Sequence, residues 1–227
     1  MNQLVTEAIV LSRVNYGEAD RILTLLTPDY GKIRVMAKGV RRVKSKLAGG
    51  IELFSVSEIT FIKGKGDIGT LVSSRLKQHY AGIVADINRT MLGYDLIKQL
   101  NKATEDECEA GYFEVLQTTF ESLADKAVSS QLVQLWFAAQ LLQLGGHTPN
   151  LQTDTKGQKL TVGTAYSFEF DAMAFGANQN GKFTADHIKF LRLVFAGNKP
   201  ARLVRVQGVD DLTATLLPLI ENLQKQS

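Results

Sequence analysis

The sequence predicts a mixed α+β chain: a small closed β-barrel over residues 1–80, then a helical body over 81–227 carrying an irregular insert at about 148–184. Three observations predict it. Five short strand-like runs separated by Gly-rich turns fill the first 80 residues, the pattern of a small barrel. The apolar period changes to a helical one after residue 82. Cations concentrate in the first third, with 13 Lys/Arg against 7 Asp/Glu in residues 1–80 and 13 against 16 in residues 81–227.

The strands follow one another closely. VTEAIVLSRV is β-branched and apolar, and RILTLLT succeeds it across the turn-like NYGEAD. TPDYGK packs Pro, Asp and Gly into a tight turn. KIRVMAKG alternates, with Ile33, Val35 and Ala37 on one face and Lys32, Arg34, Met36 and Lys38 on the other, which describes a half-buried strand with a basic outer face. ELFSVSEITFIKG reads as a fourth strand, with Leu53, Ser55 and Ser57 opposite Phe54, Val56 and Glu58. TLVSSRLKQHY reads as a fifth.

In IVADINRTMLGYDLIKQL apolar residues recur at helical spacing, and ECEAGYFEVLQTTFESLA and SSQLVQLWFAAQLLQL continue that pattern up to the breakers in GGHTPN. Residues 150–184 are rich in Gly, Thr and Asn with short apolar runs such as YSFEF, an irregular or short-hairpin insert. Residues 185–197 and 208–224 return to helix.

Composition excludes several classes. The single cysteine, Cys108, can form neither an internal disulfide nor a cysteine-based metal site, which fits a reducing cytoplasmic setting. The N-terminus lacks a signal-peptide pattern, and no apolar run approaches the ~18 residues of a membrane span. His79, His147 and His187 are scattered. No P-loop, H-E-x-x-H or G-x-S-x-G motif is present, so no catalytic residue is assigned, no cofactor is implied and no enzyme is expected. Glu18 and Asp20 precede Arg21 at once and read as a locally paired, solvated turn.

The densest feature is AKGVRRVKSK: Lys38, Arg41, Arg42, Lys44 and Lys46 place five cations in nine residues, with no acid between Asp29 and Glu52. Such a loop either keeps the chain soluble or contacts phosphates. Arg13, Lys32, Arg34, Lys63 and Lys65 on neighbouring strands and turns favour the second reading, since cations and aromatics on one barrel face track a nucleic-acid backbone and stack bases. Tyr16 and Tyr30, in turns, are the candidate stackers. Phe54 and Phe61 fit barrel core better.

Residues 9–54 resemble the RecO family of recombination mediators. An aromatic-Gly-Glu turn is followed by a strand, then Thr-x-x-x-Gly, then Ala-Lys-Gly-x-Arg-Arg. Tyr16, Glu18, Asp20, Thr27, Gly31, Ala37, Lys38, Gly39, Arg41, Arg42, Ser45, Leu47 and Phe54 fill the family's places. LLQLGGHTPNL resembles, more weakly, the helix end before the family's zinc insert. The resemblance implies an N-terminal OB-fold and binding of single- and double-stranded DNA without sequence preference. It also implies annealing of complementary strands, a partnership with RecR, and loading of RecA onto DNA coated by single-stranded DNA-binding protein. A dock for that protein's acidic-apolar tail is expected on the helical body, with Arg202 and Arg205 beside Leu203 and Val204, or the Trp136–Phe137 helix, as candidates. Many members hold zinc through Cys-x-x-Cys pairs. Here the segment is PNLQTDTKGQ, so zinc is not expected and the insert must fold by packing alone. The resemblance thus places the chain in the cytoplasm, with the nucleoid. The main competing reading is an adaptor whose basic barrel docks an acidic protein without touching DNA; a nucleic-acid enzyme is the third, weakened by the missing catalytic set.

Overall fold

The computed structural model describes residues 2–64, 66–106 and 108–226. They form two compact units, Met1–Ala124 and Asp125–Ser227.

In the first unit, β1 (Gln3–Tyr16), β2 (Asp20–Thr27), β3 (Gly31–Ala37), β4 (Ser55–Ile62) and β5 (Ile68–His79) close into a barrel in the order β1-β2-β3-β5-β4. Every pairing is antiparallel except the short parallel one between β3 and β5, where Arg34 faces Ile68 and Met36 faces Thr70. Inside sit Ala8, Val10, Leu23, Leu25, Val35, Ala37, Ile59, Phe61 and Leu71. They occupy alternate positions because side chains switch faces at each residue of a strand. The basic-versus-apolar split expected for β3 is therefore present.

The barrel is packed together with three helices, α1 (Ala81–Val84), α2 (Ile87–Ala103) and α3 (Gly111–Ala124), so the compact unit extends beyond residue 80. Asp86 caps α2 by accepting from the backbone N–H of Asn88 and Arg89. Phe54 explains much of the join. It was expected in the barrel core, but its backbone sits at φ 56 just ahead of β4. That turn places its ring edge-on to Tyr94 of α2 and Phe120 of α3, at 5.2 and 5.5 Å between centroids. Gly93 of α2 permits the approach, since a Cβ there would lie 2.6 Å from the Phe54 ring. Phe61 does lie in the barrel core.

A second clamp joins β3 to the end of α2. Lys32 donates through Nζ to the Asn101 carbonyl at 3.1 Å and to the Thr104 carbonyl, and its backbone N–H reaches the Asp106 carbonyl at 2.9 Å. An ammonium is well placed there, because the last carbonyls of a helix have no partner within it. Gly31 is required at the same spot: it has φ 62, and a Cβ would lie 2.7 Å from the Asp106 oxygen.

The second unit is built on α4 (Ser130–Leu144), buried around most of its circumference and capped by Ser129, together with α5 (Ala185–Phe195), α6 (Pro200–Leu203) and α7 (Val209–Gln226). The insert is more regular than its composition suggests. β6 (Asn150–Asp154), β7 (Tyr166–Glu169) and β8 (Ala174–Ala177) form a sheet in the order β6-β8-β7. Phe168, Phe175 and Phe183 meet edge-to-face beneath it. Aromatic packing is what holds this segment, as such pairs add ~0.5–1.5 kcal/mol each beyond the area they bury. His187 completes a capping box at the start of α5, its Nδ1 accepting from the Thr184 backbone N–H at 3.1 Å.

Candidate nucleic-acid interface

The basic loop leaves β3 at Ala37 and runs to β4. Its backbone is fixed near the barrel. Gly39, at φ 63, donates its N–H to Asp20 Oδ1 at 2.7 Å, and Arg41 donates its backbone N–H to the Ala19 carbonyl at 2.9 Å. Arg42 N–H closes a turn onto the Gly39 carbonyl, and Ser45 N–H closes another onto Arg42. Val40 is buried in the barrel core, with Leu47 and Ala48 packed against it further on. Apolar anchors hold the loop from inside, so its cations turn outward.

Lys38, Arg41, Arg42, Lys44 and Lys46 are all exposed. Among the described residues none of the five has a carboxylate partner. Arg41 alone is partly engaged, donating from its guanidinium to the Gly17 carbonyl at 3.2 Å. That contact brings the loop beside the β1–β2 turn, where Tyr16 is 56% exposed. Asp20, read from sequence as one of two solvated acids, is instead a loop anchor. Its position at the start of β2, opposite Tyr16 on β1, was the available signal.

The other candidates do not join this cluster. Tyr16 pairs with Asp20 and Arg21 with Ala37 at one end of the barrel, whereas Thr27 pairs with Gly31 and Gln3 with Ile62 at the other. Tyr30, Lys32 and Lys63 lie at this second end. The Tyr30 ring is half-buried, edge-on to Phe61 at 5.5 Å, with Lys63 Nζ 5.6 Å from its centroid. Lys32 is committed to the α2 carbonyls described above. Arg34 pairs with Asp67 at 3.5 Å and Asp106 at 4.0 Å, and Arg13 with Glu52 at 3.2 Å. Lys65 lies outside the described residues. Arithmetic on local charge could not separate these cations from the free ones, because their partners are distant in sequence.

In the second unit Arg202 and Arg205 are exposed and have no carboxylate partner among the described residues, next to buried Leu203 and half-buried Val204. Trp136 and Phe137 are buried in α4, which removes that pair as a docking surface. Among the described residues no three His, Cys, Asp or Glu come together as a metal site, and no helix is long and apolar enough to cross a membrane.

Residues 1–80 match the family described as Recombination protein O N terminal. A curated relative from Halalkalibacterium halodurans, named DNA repair protein RecO, is 30% identical over 201 residues, covering 83% of this chain and 76% of the relative. The chain belongs to the RecO family. A DNA repair protein RecO from Dehalococcoides mccartyi strain 195 is 35% identical over 163 residues, 71% of this chain and 64% of that protein. One from strain CBDB1 is 34% identical over 148 residues, 65% of this chain and 58% of that protein. The chain therefore spans just under two thirds of the length of these two RecO proteins. The family match coincides with the barrel and its basic loop.

Proposed function

We propose that this chain is a non-enzymatic DNA repair and recombination mediator whose barrel serves as an OB-fold, binding single- and double-stranded DNA without sequence preference. The observation that carries the reading is the loop Lys38–Lys46, whose five cations lack carboxylate partners among the described residues and flank the exposed Tyr16. Contacts to phosphate carry no sequence information, so a loop of this kind supplies affinity without specificity. Tyr16 adds a sequence-tolerant stacking surface.

On this reading Lys38, Arg41, Arg42, Lys44 and Lys46 are the phosphate contacts. Arg13, Lys32 and Arg34 serve the barrel itself, and Tyr30 and Lys63 mark a separate, smaller patch at the other end. The family supports the further steps: annealing of complementary strands, partnership with RecR, and loading of RecA where single-stranded DNA-binding protein has coated the DNA. Arg202 and Arg205 are the cations offered to that protein's acidic tail. The chain would then work in the cytoplasm, on the nucleoid.

Measuring DNA binding and annealing by the purified protein, with and without RecR, tests this. Salt-sensitive binding to unrelated sequences and faster annealing are expected. A folded protein that binds acidic proteins but no DNA in either condition would favour the adaptor instead.

A further inference from the structure

The second unit contains a cleft that the proposed DNA contacts of the barrel do not use. It has a volume of about 650 Å³ and lies between the β7 region and α7, within the range of ~300–1,000 Å³ in which small ligands are held. Its apolar wall is made by Phe168, Phe170, Phe183 and Leu219. Two cations, Lys182 and Lys225, stand at it, and neither has an ion-pair partner among the described residues. Lys182 Nζ is held 5.2 Å from the centre of the Phe183 ring. Glu221 and Asn222 of α7 and Asn180 complete the lining. Glu221 Oε1 accepts from Gln134 Nε2 at 2.6 Å.

We propose that this cleft takes a single unpaired nucleobase of a nucleic-acid strand, with the adjoining phosphate on Lys182 and Lys225. Aromatic walls beside cations are the combination that holds unpaired strands, the base on the ring and the backbone on the ammonium. The polar groups decide between a base and the other ligand such a cleft suggests, an acidic-apolar peptide. Acidic side chains offer acceptors only, and the Glu221 carboxylate would repel them. A base edge offers amino donors as well as acceptors, which a carboxylate and two side-chain amides match together. The site lies in a different unit from the basic loop and does not depend on that loop touching phosphate.

The test uses the full chain and a single-stranded oligonucleotide bearing one 5-iododeoxycytidine, cross-linked by long-wavelength light, with the adducts located by mass spectrometry. Adducts on Phe168 or Phe170 are expected. Lys182→Ala with Lys225→Ala should reduce them at least about fivefold, the low end of what one stacked base contributes. Both lysines are exposed, so the fold should persist. Glu221→Gln should lower the yield for cytosine more than for iodouracil. The loop variant Arg42→Ala with Lys44→Ala should weaken total binding yet leave the share of adduct in the cleft unchanged, which separates this site from the barrel reading. Adducts confined to residues 1–124, yields indifferent to the lysines, or displacement of the strand from the cleft by an acidic-apolar peptide would each overturn the proposal.

Discussion

Replacing Lys32 by Met separates structural cations from DNA-contacting ones. The change keeps the length and apolar stem of the side chain and removes the ammonium. Two helix-terminal carbonyls, Asn101 and Thr104, then lose their donor. Hydrogen bonds to charged groups contribute ~1.5–3 kcal/mol each where buried. Lys32 is only half-buried, and water can reach the vacated carbonyls, so the two together should cost about 2 kcal/mol. In a chain of this length that lowers Tm by about 4–8 °C. Thermal melting by circular dichroism measures it, and a salt titration of DNA binding completes the assay. The slope of log affinity against log salt should not change. A variant with the original Tm and a flatter slope would mean that Lys32 faces phosphate, and the assignment of the clamp would be wrong.

Other outcomes follow from the packing and the titrations. Gly93→Ala drives a methyl group into the Phe54 ring, where a Cβ has only 2.6 Å, and should cost ~1–3 kcal/mol in urea unfolding. Burial, with Glu121 second, pushes the Tyr80 hydroxyl up to about 12, so it should ionise late in an ultraviolet alkaline titration, and Tyr80→Phe should remove that late step. The stability tied to its neutral form is present below pH 10.0 and lost as pH rises through about 12. Burial holds the His187 imidazole below 6.5, with Asp186 opposing. Its neutral ring favours the fold above pH 6.5, and that contribution is lost as pH falls. His187→Gln, which keeps a capping acceptor, should flatten the dependence of Tm on pH between about 5 and 7.5.

The barrel strands were legible because their periodicity is local: Ile33, Val35 and Ala37 alternate with Lys32, Arg34 and Met36 whatever lies elsewhere in the chain. The basic loop was legible for the same reason, as a run without acids. Phe54 was not, since its direction depends on a positive φ and on two helices more than 35 residues away. The fates of Lys32, Arg34 and Arg13 were equally hidden. Each is decided by a partner brought in by tertiary structure: the end of α2, Asp67 with Asp106, and Glu52. Val40 was the overlooked sign within the loop, a valine among cations that anchors it in the barrel core. The insert hid its sheet because Gly, Thr and Asn masked three short strands whose cohesion comes from phenylalanines spread between 168 and 183.

The central claim, that the Lys38–Lys46 loop contacts phosphate, is tested most directly by the salt dependence of single-stranded DNA affinity in the Arg42→Ala, Lys44→Ala variant. Neither residue forms an ion pair among the described residues, and both are exposed, so Tm should change little. Each lost phosphate contact removes ~0.7 from the slope of log affinity against log salt, so the slope should flatten by about 1–1.5, equally for unrelated sequences. A folded variant with unchanged affinity and slope would contradict the account.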